Sequence, residues 1–288
     1  MQALAACLPD ARVERWQQDS PAADYAVGWA VPPALFTHQP RLKAFFCAGA
    51  GVDDLLASRA VPPTLPIVRV EDAGMGEQMA DYCSAAVLHW FTQGWRYAQQ
   101  QARAQWRELP LQQRSDWPVG IFGLGVLGRA VAARLASLGF PVHGCTRSDL
   151  ASGAQELGRF LQSSRVLVLL APLTPLTRGL FDARRLAQLP RGAFLINVSR
   201  GALVAEDALL EALQSGQVAA AALDVFEQEP LGSDHPYWRH PAVRVTPHVA
   251  AYTVIEPAAR QLALRIQALE AGASAESLPG RVSRQQGY

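Results

Sequence analysis

The sequence predicts an α/β protein built on parallel sheet. Short apolar runs bounded by Pro, Gly and Asp alternate with stretches of helical periodicity, the pattern of strands joined by crossover helices. Residues 118–146 read as strand, glycine-rich turn, helix and strand in unbroken succession. The chain has 288 residues, half of them apolar, enough to bury the core of one large domain or two of ordinary size.

In chain order, the segment up to Glu71 reads as short β/α units, with strands at Tyr25–Ala30, Leu42–Cys47 and Pro66–Val70. From Met75 to Leu109 there is no proline, and the only glycines are Gly76 and Gly94. Met79, Tyr82, Cys83, Ala86, Val87, Trp90, Phe91 and Trp95 recur there at helical spacing, predicting a long helix, interrupted near Gly94 and ended before Pro110. Its aromatic residues read first as core. A helix of this length is hard to bury within one subunit, which points to a contact between two copies of the chain. Pro118–Phe122 is then a buried strand, Gly123–Gly128 a turn, Arg129–Leu138 a helix stopped by Gly139, and Pro141–Thr146 the next strand. Further strands are expected at Val166–Leu170, Ala193–Val198, Val218–Val225 and Val243–Thr246. Glu206–Gln214 reads as a helix closed by Gly216, and a last helix runs from Pro257 to about Gly272.

Composition excludes several function classes. The formal charge is +1, which offers no attraction to nucleic acid or an acidic membrane surface. Lys43 is the only lysine, so arginine is common throughout and a single Arg carries little signal. Cys7, Cys47, Cys83 and Cys145 lie far apart, without the spacing of a metal or redox motif, and read as reduced thiols. No apolar run reaches the ~18 residues needed to span a bilayer, and the N-terminus lacks a signal-peptide pattern. A cytoplasmic protein without a metal is expected.

The motif GLGVLG places Gly123, Gly125, Val126, Leu127 and Gly128 at a strand-to-helix turn. Gly123 permits the tight turn, Gly125 lets backbone approach a pyrophosphate, and Gly128 lets the helix pack closely with its positive end under the phosphates. A close helix–strand contact alone would also favour glycine. The flanking strand, amphipathic helix and second strand favour dinucleotide binding. An NAD site usually carries Asp or Glu about 20 residues further on, to hold the ribose hydroxyls. Here the stretch is Cys145-Thr146-Arg147-Ser148, with no acid until Asp149. Without that carboxylate a 2′-phosphate meets no repulsion, and Arg147 can hold it in a bidentate fashion with Ser148 beside it. NADPH is therefore the expected cofactor, with NADH the alternative.

Three short signatures follow, each at a strand end: Asn197-Val198-Ser199-Arg200-Gly201, Leu223-Asp224-Val225-Phe226-Glu227-Gln228-Glu229-Pro230, and Thr246-Pro247-His248-Val249-Ala250. Taken singly, Arg200 could cap a strand, Glu229 could be a solvated loop acid, and His248 could be one of six ordinary histidines. Together, beyond the carboxyl ends of parallel strands, they supply a cation, an acid and an imidazole, the set that reduces a keto acid.

With these residues the sequence resembles the D-isomer-specific 2-hydroxyacid dehydrogenases, whose pattern is this fingerprint followed by an Arg, a Glu and a His. Within that family it is similar to the glyoxylate/hydroxypyruvate reductase branch, through Ala48–Asp53, Glu71–Met79 and Leu88–Phe91. The resemblance implies two Rossmann-like, doubly wound domains, the active site between them, and a homodimer. It implies a cofactor domain (residues 86–256) inserted into a substrate domain (1–85 and 257–288). It implies NAD(P)H-dependent reduction of small 2-keto acids: Arg200 holds the substrate carboxylate, His248 donates the proton, and Glu229 orients His248. Pro172, Thr177 and Val198 join the expected cofactor site, and the resemblance puts Asp224 at the nicotinamide carboxamide. It also assigns the amides of Ala50 and Gly51 to the substrate carboxylate, where a plain turn would equally call for small residues. Met75 and Gly76 are expected near the substrate. Two alternatives stand beside this: a nucleotide-sensing scaffold of the same fold, and a family enzyme acting on another substrate.

Overall fold

The computed structural model describes residues 1–29, 31–58 and 60–288. Ala30, the last residue of the first expected strand, lies outside them. The chain opens with α1 (Gln2–Cys7), β1 (Tyr25–Gly28), α2 (Ala34–His38), β2 (Ala44–Cys47), α3 (Asp53–Ala57) and β3 (Ile67–Arg69). The three strands form a parallel sheet in the order β1-β2-β3. β2 is buried at every position, as a central strand covered on both faces requires.

Two helices follow, α4 (Met75–Phe91) and α5 (Gly94–Ala102), where the sequence suggested one long helix with a break. The break is at Gln93, which adopts a left-handed conformation with φ +59°. A Cβ at Gly94 would lie 2.8 Å from Nδ1 of His89 and 3.3 Å from its carbonyl oxygen, so a side chain there would have to push the His89 ring aside. The second helix stops at Ala102 rather than reaching Pro110: Arg103, Ala104 and Gln105 turn back on Gln100 and Gln101, with Ala104 at φ +50°.

Beyond lie β4 (Val119–Phe122), α6 (Val126–Ser137), β5 (Val142–Cys145), α7 (Arg147–Ala151), α8 (Ala154–Gln162), β6 (Val166–Leu169), α9 (Ala183–Leu186), β7 (Ala193–Asn197), α10 (Glu206–Gln214), β8 (Val218–Leu223) and β9 (Val243–Val245). These strands form a six-stranded parallel sheet, β5-β4-β6-β7-β8-β9. The order runs outward from β4 in both directions, so the chain reverses at β4, and open α/β sheets bind ligands outside the carboxyl ends at such a point. Apolar clusters cover both faces. One joins Leu161, Leu169, Phe181 and Leu195; the other joins Cys83, Val87, Trp90, Ile121, Val131 and Phe194. Each fully buried Leu, Ile or Phe contributes roughly 1.5–3 kcal/mol.

The chain ends with α11 (Ile255–Glu270) and a tail whose Val282 donates to the Ile67 carbonyl at 2.9 Å. Two compact units result, residues 1–75 with 252–288, and residues 76–251. The first division falls ten residues before the expected position at 85. The reason is that Met79, Ala80 and Cys83 of α4 are buried in the cluster on the six-stranded sheet. The second falls before 256, because Val254 N–H bonds the Ala73 carbonyl at 3.0 Å. Among the described residues, no helix is long and apolar enough to cross a membrane, and no group of three His, Cys, Asp or Glu is placed to hold a metal ion.

Candidate active site

The glycine turn behaves as its spacing demands. Gly123 has φ +106°, and a Cβ there would lie 2.5 Å from Ala171 N. A Cβ at Gly128 would lie 2.0 Å from the Gly123 carbonyl oxygen. At Gly125, by contrast, a Cβ would meet nothing within 4 Å. The turn is thus closed towards the protein and open at Gly125, the N-cap of α6, which no side chain caps. A helix start left uncapped by protein, beside open backbone, suits a phosphate. Val126 is exposed there, and Leu127 packs partly into the core.

After β5, Thr146 caps α7 in a reciprocal box with Asp149. The Asp149 carboxylate accepts both the backbone N–H and the hydroxyl of Thr146, each at 2.7 Å, and the hydroxyl bond first, then the backbone bond, holds its carboxyl below the usual range. The nearest acid to the expected ribose site is therefore engaged locally. Arg147 and Ser148 are exposed in the first turn of α7, and the Ser148 hydroxyl lies 2.7 Å from that of Thr146.

After β6, Thr177 is buried and donates to the Pro172 carbonyl at 2.8 Å. Its hydroxyl shapes the loop. Val198 is buried at the end of β7.

Arg200, Asp224, Glu229 and His248 follow the ends of β7, β8 and β9, which are neighbours in the sheet. The buried Asn197 side chain holds the Arg200 carbonyl at 2.9 Å. Arg200 itself donates to the Ser199 carbonyl at 2.7 Å. The next residue, Gly201, is pressed against another loop: a Cβ there would lie 1.9 Å from the Phe226 carbonyl carbon and 2.2 Å from Glu227 N. Glu229 turns back, and its Oε1 accepts the Phe226 N–H at 2.9 Å, while its Oε2 lies 2.8 Å from Nδ1 of His248. The carboxylate accepts, so Nδ1 is the donor and Nε2 remains available.

His248 sits in the left-handed region, φ +55°. Its loop is tied to Asp224, which is 1% exposed. The Asp224 carboxylate accepts the Thr246 hydroxyl at 2.6 Å and the N–H groups of Val249 and Ala250, each at 2.9 Å. Its main-chain carbonyl accepts the His248 N–H at 2.8 Å. Asp224, expected at the nicotinamide, thus organises the His248 turn. The sequence read Tyr82 as core and gave Thr246 no role of its own, yet the Tyr82 hydroxyl lies 2.7 Å from that of Thr246.

The other expected residues divide between the units. Ala50, Gly51 and Met75 belong to the first, Gly76 to the second. The Ala50 carbonyl accepts the Arg69 guanidinium at 2.6 Å, and the Gly51 carbonyl faces the Cys47 thiol at 3.7 Å. Burial lowers the pKa of Arg69 from its ordinary value, with Glu71 opposing. Met75 is buried and its sulfur accepts the Thr253 hydroxyl at 3.7 Å.

Residues 84–250 match the profile of the D-isomer specific 2-hydroxyacid dehydrogenase family, NAD binding domain. Glyoxylate/hydroxypyruvate reductase A of Serratia proteamaculans (strain 568) is 44% identical over 282 residues, covering 93% of this chain and 90% of that protein. A D-isomer specific 2-hydroxyacid dehydrogenase from Xanthobacter autotrophicus Py2, solved in complex with NADPH and MES, superposes with a TM-score of 0.91 at 37% identity, over 100% of this chain and 95% of that one. The NADPH-dependent glyoxylate/hydroxypyruvate reductase of Sinorhizobium meliloti, solved with NADP and sulfate, gives 0.87 at 33% identity, over 100% of this chain and 96% of that one.

Proposed function

The chain belongs to the D-isomer-specific 2-hydroxyacid dehydrogenase family, and on that premise we propose that it reduces glyoxylate and hydroxypyruvate to glycolate and D-glycerate with NADPH. The observation that carries this is the Glu229–His248 pair at 2.8 Å, presented with Arg200 from the ends of three adjacent strands.

NADPH fits the residues present. The uncapped start of α6 beside the open Gly125 would take the pyrophosphate. Arg147 and Ser148 would take the 2′-phosphate, with Asp149 withdrawn into the capping box. When bound, NADPH supplies the hydride. Arg200 holds the substrate carboxylate and polarises its keto oxygen. Glu229 fixes the His248 ring through Nδ1, so that Nε2 holds the proton and delivers it to that oxygen as charge develops. In this proposal the 76–251 unit is the cofactor domain and the other unit the substrate domain, to which the loop of Ala50 and Gly51 belongs. Arg69 steadies that loop through the Ala50 carbonyl.

We assign the active form to a homodimer. Trp106 is 99% and Leu111 92% exposed, and α5 buries none of its residues. A hollow of about 560 Å³ beside α5, lined by Tyr97, Gln100, Trp106 and Arg107 among others, would receive a second copy. Its four cysteines are free thiols, which suits the reducing cytoplasm.

The test is loss of nicotinamide absorbance with NADPH or NADH against glyoxylate, hydroxypyruvate and pyruvate. Rapid NADPH oxidation with the first two is expected, falling on the order of 10²–10⁴-fold in His248→Ala. No turnover with any pair, despite tight NADPH binding, refutes the substrate assignment.

A further inference from the structure

The His248 turn poses a physical question. A non-glycine residue in the left-handed region is strained and persists only where its surroundings hold it there. The His248 ring is 48% exposed, and Glu229 is its hydrogen-bond partner among the described residues. Where Nε2 points is therefore set by the bond to Glu229 and by the backbone of residues 246–250 that carries the ring.

That backbone hangs on Asp224, whose carboxylate gathers the Thr246 hydroxyl and two successive N–H groups, Val249 and Ala250. The Thr246 hydroxyl is the only one of these three donors able to rotate away. It is kept in place by a second bond: its proton points to Asp224, so at 2.7 Å it accepts the hydroxyl proton of Tyr82. Tyr82 lies on α4, in a helix that contributes Cys83, Val87 and Trp90 to the core beneath the sheet. Its anchorage is thus independent of the loop it touches. Burial, outweighing the opposing bond from Thr246, pushes the Tyr82 phenol up to about 12, so it stays a donor throughout the neutral range.

We infer that Tyr82 and Thr246 are positioning residues for the proton donor, forming a chain Tyr82–Thr246–Asp224 that fixes the turn presenting His248. This rests on the assignment of His248 as proton donor. Neither residue touches the reacting atoms; each acts through His248. Loss of either loosens the aim of Nε2 by tenths of an ångström, and such displacements slow proton transfer without weakening cofactor binding.

The experiment uses the full-length protein, with NADPH and glyoxylate at saturation. Tyr82→Phe, Thr246→Val and Thr246→Ser are made alone and in the His248→Ala background. Alone, Tyr82→Phe is expected to lower kcat about fivefold and Thr246→Val about tenfold or more. NADPH Kd, from fluorescence quenching, stays within about twofold. The solvent deuterium isotope effect on kcat should rise in both, because proton delivery becomes slower. Thr246→Ser, which keeps the hydroxyl, should recover most of the rate. In the His248→Ala background, Tyr82→Phe should cost nothing further, since residues acting through one group are not additive.

Wild-type kcat in both Tyr82→Phe and Thr246→Val, with a crippled His248→Ala enzyme, overturns the inference alone. So does a loss that persists undiminished in the His248→Ala background, or a fall in NADPH affinity that matches the fall in kcat. A His248→Ala enzyme as fast as wild type overturns the proton-donor assignment and this inference with it.

Discussion

Glu229 faces His248 at 2.8 Å through one carboxylate oxygen and holds its own main chain, at Phe226 N–H, through the other. The acid is therefore fixed before it fixes the imidazole. A side chain held at both oxygens has little rotational freedom, and the ring it orients inherits that restriction.

Glu229→Gln tests this directly. An amide can present one oxygen but not two acceptors, so either the Phe226 bond or the His248 bond is lost. We expect kcat for glyoxylate to fall on the order of 10–100-fold, as for loss of a group that orients another, with NADPH affinity unchanged. Steady-state kinetics beside a binding titration would show it; a weakened Kd with normal kcat would contradict it.

The proposed 2′-phosphate contact of Arg147 can be tested through cofactor choice. With Asp149 held in its box by Thr146, Arg147→Ala should raise KM for NADPH about 10–100-fold, the loss of a charge-assisted bidentate contact. KM for NADH should barely change. If both cofactors suffer equally, the residue serves the loop rather than the 2′-phosphate.

Gly128→Ala bears on stability. The added methyl would sit 2.0 Å from the Gly123 carbonyl oxygen, and backbone, not a flexible side chain, would have to move. A loss of about 3 kcal/mol is expected. For a chain of this size that lowers Tm by roughly 6–12 °C. Differential scanning fluorimetry would decide, and an unchanged Tm would mean that the turn relaxes freely.

The acid limb of stability should involve His143. Burial lowers its pKa below the ordinary 6.5, against a smaller opposing contribution from the Phe160 backbone. Its Nε2 lies 3.0 Å from the Ser164 hydroxyl, which itself donates to the Phe160 carbonyl, so Nε2 is the donor, and burial favours the neutral ring. Because the folded pKa lies below the unfolded one, the stabilisation is complete above pH 6.5 and drains away as pH falls below it. His89 is lowered by burial and by Arg244, with the same sign. Tm should drop between pH 7.5 and 5.5, and His143→Gln should drop less, by about 2 °C. Parallel curves for the two proteins would remove His143 from the account.

Much of this molecule is legible in one dimension because its chemistry is local. The glycine turn announces itself over six residues because Gly128 is pressed against Gly123 within the motif, although Gly123 is itself pressed against Leu170 and Ala171, beyond β6. Arg200, Glu229 and His248 each stand within a few residues of a strand end, which is where a parallel sheet delivers its ligands. The role of Asp149 was also local, a Thr-x-x-Asp capping pattern at residues 146–149. The Tyr82–Thr246 contact is different, because its partners are 164 positions apart. An aromatic at helical spacing gives no sign that its hydroxyl has a partner. The helix break at Gln93 was half visible: Gly94 marked it, but the left-handed residue is the one before.

Gly201 seats the segment after Arg200 directly on the Phe226–Glu227 peptide, backbone against backbone. No side chain intervenes that substitution could trim or swap. The loop that carries Arg200 and the loop that carries Glu229 are therefore one mechanical part, and neither can be lengthened or reshaped without displacing the other. Whether by natural drift or by design, insertions that alter one of these loops must come with a matching change in the other.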